Sequence, residues 1–248
     1  GRHIDFTLYP FSFRETLDFK PNIYLAEDVA KIQKQFNIYL NGSGFPEYKR
    51  FGSRIIGNIY QDIINKDCLS RYEIKYSKTF RELSNYLISN FSNEFTYSKL
   101  SNIFNIKDVH TIKNYVNYLG EAFLILVLER YSFKLKQQVI APKKVYVIDH
   151  GICNFLSFKL TKNLGRLFEN IICIELLRKK SIKESFEFYY WKDHQQNEVD
   201  FVLKEGRKIR CLIQACYDLS DRATKQREIR GMIKGYKELL TQFLKLEF

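Results

Sequence analysis

Apolar residues recur at helical spacing through most of the first 120 positions and at alternating spacing further on, so the chain reads as helices first and strands later. Residues around Phe13 to Leu17 carry a helical pattern, VAKIQKQFNIYL (29–40) follows, and IGNIYQDIINKDCLSRY (56–72) is a further helical stretch beyond a turn at NGSGFPE. TFRELSNYLISNF (79–91) places Phe80, Leu83, Tyr86 and Leu87 on one helical face. YSKLSNIFNI reads as a short helix capped by Thr96 or Ser98. DVHTIKNYVNYLGEA aligns Val109, Ile112, Val116 and Leu119 in one stripe, with Asp108 as the expected N-cap. Two β-rich runs follow, FLILVLERYSFKL (123–135) and KKVYVIDHG (143–151).

Helix, helix, turn, helix and β-ribbon is the order of a winged helix-turn-helix. Its third helix would turn His110, Lys113, Asn114, Asn117 and Tyr118 outward, groups able to touch phosphates or base edges. Only Lys113 among them is a firm cation, whereas counterion release usually draws on several. The same module could equally serve protein contact or act as a rigid spacer.

The last region has a clear order. GRLFENIICIELLRKK (165–180) reads as a helix, FEFYYWKD, EVDFVLKEG and RKIRCLIQACYDL as three strands, DRATKQREIRGMIKGYKELL as a second helix, and FLKLEF as a closing strand. The expected architecture is mixed α+β or α/β. It comprises a helical segment over 1–85, a winged helix over 86–148 and an αβββαβ domain over 149–248.

Composition narrows the partners. Net charge is +12 and the excess is spread along the chain, which suggests a polyanion, although a generally solvated basic surface would give the same number. Five cysteines, an odd number without a CxxC, argue against a disulfide scaffold or zinc site and favour a reducing cytosol. The longest apolar run, AFLILVL, is far too short to span a bilayer, and no signal peptide is visible. The opening without a methionine reads as a fragment or processed chain. Gly42-Ser43-Gly44 lacks the Lys-Ser/Thr of a phosphate-binding loop and reads as a turn. With no Walker A spacing anywhere, the chain alone is not expected to hydrolyse ATP.

The candidate chemistry lies in NEVDFVLKEGRKIRCLIQAC (197–216). Strand alternation puts Glu198, Asp200 and Val202 on one side, and Leu212, Gln214 and Cys216 together on the partner strand. A turn centred on Gly206 sets Glu198 opposite Gln214 with Asp200 on the diagonal, an oxygen cluster that a hard ion such as Mg²⁺ prefers. On the preceding helix, Leu164, Leu167, Phe168, Ile171 and Ile172 define the apolar stripe, with Glu175 near its middle and Glu169 at its margin. A buried carboxylate there is costly unless it meets a metal or a cation such as Arg166. Asp149, at the end of an apolar strand, reads as a structural cap.

Glu169 on the helix, Asp200 in EVDF and the Q-x-C of Gln214 and Cys216 resemble the PD-(D/E)XK nuclease superfamily. More narrowly, LYPFSFRE, GFPE, YQDIINKD, KVYVIDHG, GRLFEN, EVDF and TKQRE, in this order, resemble the C-terminal part of a prokaryotic, largely archaeal, AAA/STAND-type ATPase family. The resemblance implies an ATPase core ahead of the helical segment, with Arg2 near nucleotide in the intact protein, and ATP bound there rather than by this fragment. It implies Glu169 and Asp200 as metal ligands, with Glu198 beside them and Gln214 as a neutral substitute for the third acid. The departure is Cys216, which stands where the superfamily lysine would balance charge in the transition state; loss of such a group costs roughly 10²–10⁴ in rate. Lys225 or Arg227, on the next helix, is the candidate migrated cation.

These residues support a nucleic-acid-binding or regulatory region of an ATPase with a degenerate nuclease-like fold. The alternatives are a Mg²⁺-dependent endonuclease and a protein-interaction or oligomerisation arm. Expected partners are nucleic acid, the protein's own ATPase core and a second copy of the chain, with no membrane. Whether the chain is an enzyme stays open at this point.

Overall fold

The computed structural model describes residues 7–156 and 164–244, with side chains through 239. The chain divides into two units, Gly1–Phe91 with Tyr97–Leu126 and Tyr146–Lys162, and Ser92–Thr96 with Val127–Val145 and Asn163–Phe248.

The first unit is helical. Its α1 (Phe13–Thr16) is closed by a capping box in which Ser12 and Glu15 satisfy one another's backbone N–H groups. Then come α2 (Ala26–Asn41), α3 (Tyr48–Phe51) and α4 (Ser53–Asp62), which continues as a π-helical stretch, Ile63–Ser70. The expectation of a mostly helical segment agrees with this. α5 (Ser77–Ser89) buries Phe80, Leu83, Leu87 and Ile88. Tyr86, expected on that face, is only half-buried and instead meets Phe104 edge-on, because Ile88 fills the space towards the core. α6 (Tyr97–Ile103) and α7 (Val109–Glu121) follow. The Asp108 carboxylate caps α7 as expected, accepting from the N–H groups of His110 and Thr111. Ile112, Val116 and Leu119 are buried, while Val109 at the exposed first turn is replaced in the stripe by Tyr115. α9 (His150–Leu156) packs on α2, α4 and α5.

Two three-stranded sheets complete the mixed α and β architecture. The first has the order β1 (Glu94–Phe95), β3 (Lys143–Val147), β2 (Ile125–Leu128), and β1 pairs antiparallel with β3 through Glu94↔Lys144 and Phe95↔Lys143. The β-run expected through Leu135 is shorter than its sequence suggests. Residues Leu135–Ile140 form a helix, α8, whose Leu135, Val139 and Ile140 are exposed. The apolar residues there follow no strict alternation, so nothing holds them in a strand.

The second unit holds the antiparallel sheet β4 (Phe186–Lys192), β5 (Glu198–Glu205), β6 (Lys208–Ile213), with α10 (Leu164–Ile182) packed on β4 and α11 (Arg222–Leu244) on β5 and β6. Trp191, Val199, Val202 and Leu239 form its buried cluster, flanked by Tyr131, Phe133, Ile209, Leu212 and Met232. The expected closing strand is corrected in part: Phe243 and Leu244 continue α11, and residues 245–248 lie outside the described residues. The hairpin register also differs from the one expected. Glu205 pairs with Lys208 around a tight turn in which Gly206 has φ +58°, and a bulge between Leu203 and Lys204 shifts the rest, so Phe201 faces Ile213. β6 ends there, and Gln214 to Cys216 leave the sheet.

α11 can approach β5 because two glycines four residues apart face it. A Cβ at Gly231 would press into the Glu198 carbonyl oxygen, and one at Gly235 would lie 2.6 Å from Val199 Cγ2. Helix propensity alone would favour alanine at both sites by about 1 kcal/mol. Gly231→Ala is nevertheless expected to destabilise by about 1–3 kcal/mol, since the obstacle is backbone that cannot rotate away. Urea unfolding of that variant beside Lys225→Ala, at an exposed position of the same helix, checks the sign.

Candidate functional site

Four carboxylates and two lysines meet within the second unit. Glu169 comes from the first half of α10, Glu198 and Asp200 from one side of β5, Glu94 from β1, Lys192 from β4 and Lys144 from β3. Lys144 Nζ lies 2.8 Å from Glu169 Oε1, 2.5 Å from Glu198 Oε1 and 3.3 Å from Asp200 Oδ1. Lys192 Nζ continues the chain of charges, 2.6 Å from Glu94 Oε2 and 3.3 Å from Glu198 Oε2. Tyr190, fully buried, donates its hydroxyl hydrogen towards Glu94 Oε1 and the Pro142 carbonyl, and its ring lies beneath the Lys144 ammonium.

Burial makes these contacts strong and their loss expensive. The Lys144 side chain is 4% exposed and that of Asp200 7%. Desolvation alone would push the Lys144 pKa down, but Glu169, Glu198 and Asp200 outweigh it and raise the ammonium above the ordinary lysine value. Glu198 is held below the usual carboxylate range: burial pushes it up, and Lys144 and Lys192 overcome that. Asp200 goes the other way. Burial and then the Glu169 charge push it up to about 7, against the pull of Lys144. Burial first, and then the Glu169 charge, raise the Cys173 thiol well above its normal value and keep it neutral.

The Asp200 shift has a definite sign. Its folded pKa exceeds the unfolded value of about 3.9, so the folded state holds a proton that the unfolded chain has released; the resulting loss of stability develops as pH rises from about 4 to about 7 and is complete above that. The amplitude is on the order of 2–4 kcal/mol. His150, in the first unit, is lowered by burial and contributes in the opposite direction. Comparing Asp200→Asn with wild type therefore isolates the carboxyl: the wild type should lose more stability than the variant between pH 5 and pH 8 in chemical denaturation. Parallel curves would contradict the assignment.

The sequence-derived candidates are only partly gathered. Glu169, Glu198 and Asp200 converge as expected. Glu175, expected in the apolar stripe, is instead half-exposed and paired with Arg178 at 3.1 Å, because the buried side of α10 runs through Leu167, Ile171, Ile174 and Leu176 and brings Glu169 inward. Gln214 faces Asp200 rather than Glu198. Its Oε1 accepts from the Asp200 N–H and its Nε2 donates to Glu228 of α11, while Asp200 Oδ2 accepts from the Ala215 N–H. Gln214 therefore ties β5 to α11. Cys216 donates to the Asp218 carbonyl. A cavity of about 530 Å³ opens over Glu169, Glu198, Asp200 and Gln214, with Thr224, Arg227 and Glu228 of α11 on its wall. Lys225 is solvent-exposed, and Arg227 is paired with Glu228. In the first unit His110, Lys113, Asn114 and Asn117 are exposed on α7, whereas Tyr118 stacks on Tyr72 with ring centroids 3.9 Å apart. Arg2 lies outside the described residues.

Lys144, Glu94 and Lys192 are the participants that sequence reasoning missed. The only signal was Lys143-Lys144 at the head of an otherwise apolar strand, where two cations must be buried with the rest. As to a metal, the donor set does not fit one: the acids already surround an ammonium, and among the described residues no three His, Cys, Asp or Glu side chains are arranged to hold an ion.

A family model described as a domain of unknown function, DUF8612, matches residues 24–163. The chain belongs to this family. A second model, the domain of unknown function DUF4143, matches residues 164–243, the stretch that carries Glu169, Glu198 and Asp200. This DUF8612 chain is 34% identical to an uncharacterized protein of Methanocaldococcus jannaschii over 96% of its own length and 55% of the relative's. It is 24% identical to an uncharacterized protein of Haemophilus influenzae over 97% of its length and 60% of that relative. The chain thus spans little more than half the length of these curated relatives. No solved structure matches it. Among the described residues no helix is long and apolar enough to cross a membrane.

Proposed function

We propose that this chain is the nucleic-acid-binding, regulatory C-terminal region of an AAA/STAND-type ATPase, with a PD-(D/E)XK-like domain that binds without cutting. The observation that carries the non-cleaving half is Lys144. Its ammonium lies within 3.3 Å of Glu169, Glu198 and Asp200 and supplies in covalent form the positive charge that a divalent ion would bring. A helix bearing Glu169, followed by the β5–β6 hairpin bearing Asp200, supports the nuclease-like reading. The order α5, α6, α7 before β2 and β3 supports the winged-helix reading. The net charge of +12 supports a polyanionic partner. Five free cysteines suit a reducing compartment. The ATPase core belongs to the part of a longer protein that this chain does not include.

The test pairs two assays. Fluorescence anisotropy should record metal-independent DNA or RNA binding that weakens steeply with salt, and the same nucleic acids should survive incubation with Mg²⁺ or Mn²⁺. Absence of binding at 20 mM salt, or cleavage that vanishes in Asp200→Ala, contradicts the proposal.

A further inference from the structure

α11 presents to solvent a face that its packing on β5 does not use. Gly231, Gly235 and Leu239 are turned inward, and Arg222, Lys225, Arg230, Lys234 and Lys237 are exposed. Against them α11 sets only two acids through residue 239: Glu228, half-buried and paired with Arg227, and Glu238. Between the cations stand Ile229, Ile233 and Tyr236, at 48, 50 and 60% exposure. Gln226, Ile229, Arg230, Ile233, Lys234 and Lys237 line a shallow groove of about 550 Å³ along the helix.

Ile229, Ile233 and Tyr236 fall at i, i+4 and i+7 and form one narrow strip, with Arg230, Lys234 and Lys237 in a row beside it. Three apolar side chains offer little area to hold a helix in a bilayer, whereas a row of cations beside an aromatic ring suits a nucleic-acid strand. The helical rise sets Arg230 and Lys234 about 6 Å apart along the axis and Lys234 and Lys237 about 4.5 Å apart, a row of cations able to follow a phosphate backbone. Lys234 is held in position by Gln195, to which Nζ donates at 2.6 Å. Tyr236 offers a ring on which a sugar or base could rest.

We infer that the outer face of α11 is the main nucleic-acid-docking surface of this chain, with the phosphate backbone on Arg230 and Lys234 and the ribose or base edges on Ile233 and Tyr236. This rests on the nucleic-acid reading above and assigns it to a surface. α7 plays the lesser part, since exposed Lys113 is its one lysine or arginine.

The experiment titrates a 30-base-pair DNA duplex, and its single strand, into wild type, Arg230→Gln/Lys234→Gln and Lys113→Gln, from 50 to 300 mM salt. Both sites are exposed, and circular dichroism confirms that each variant is folded. For the duplex, each lost phosphate contact lowers the salt slope by about 0.9, so the double variant should lose about 1.8 from the slope and about 50-fold in affinity at 0.1 M salt. Lys113→Gln should lose less than 10-fold. Wild type that binds no nucleic acid overturns the functional proposal and this inference with it. Wild type that binds while the double variant keeps its slope overturns this inference alone, as does a larger loss in Lys113→Gln. Binding to phosphatidylserine vesicles but not DNA, or a dimer that the double variant dissolves without loss of DNA binding, also contradicts it.

Discussion

Lys144→Met is expected to cost about 3–5 kcal/mol of folding stability at neutral pH, the range seen when one member of a buried ion pair is removed and its partners stay behind. The side chain is 4% exposed and is shared by Glu169, Glu198 and Asp200, so methionine fills the volume but leaves three carboxylates facing one another. The variant has a pH signature. With the ammonium gone, the remaining acids bind protons more tightly in the folded state, so the loss should shrink as pH falls towards 5 and be greatest above 7. Urea unfolding at pH 5.5 and pH 8 reads both. A loss below 1 kcal/mol at pH 8 would mean that the ammonium does not hold the cluster together.

The second large effect lies in the first unit, away from any proposed chemistry. Asp149, 2% exposed, accepts from Ser43 Oγ at 2.7 Å, the Gly44 N–H at 2.7 Å and the Gly151 N–H at 2.8 Å. The carboxylate thereby fastens the Gly42–Gly44 turn to the first residues of α9. Beside it the His150 ring bonds the Tyr39 carbonyl at 2.6 Å, and Tyr39 donates its hydroxyl to the Phe11 carbonyl. Asp149→Ala leaves three buried donors without an acceptor, each costing about 1–3 kcal/mol, so the expected loss is at least about 3 kcal/mol. For a chain of this size that corresponds to roughly 10 °C in melting temperature. Asp149→Asn should fall between, because its amide nitrogen faces a donor. A melting temperature unchanged in Asp149→Ala would remove the clamp from the account.

Much of this was legible in the residues, and the failures have physical causes. Asp108 announced the start of α7 because a capping carboxylate is a local device, and the three strands and α11 of the second unit announced themselves by period. Asp149 read as a structural cap, and its partners bear that out. Glu198 and Asp200 share a face because alternation demands it. The Gln214 partner was misjudged because a one-residue bulge leaves no mark in composition yet moves every pairing beyond it. Glu175 read as central to the apolar stripe and Glu169 as marginal because the stripe of α10 is broad, and only packing against β4 decides which edge turns inward. Lys144 was out of reach. It stands 25 residues before Glu169 and 56 before Asp200, and its place among them depends on pairing between β1 and β3 that no local pattern encodes.

That lysine is the centre of the account, and a Mn²⁺ soak of crystals of the wild-type protein addresses it most directly. The expected result is an anomalous map without a peak near Glu169 or Asp200 and clear density for the Lys144 ammonium between the acids. A Mn²⁺ peak coordinated by Glu169 and Asp200, with the lysine displaced or bonded beside it, would contradict the non-cleaving reading.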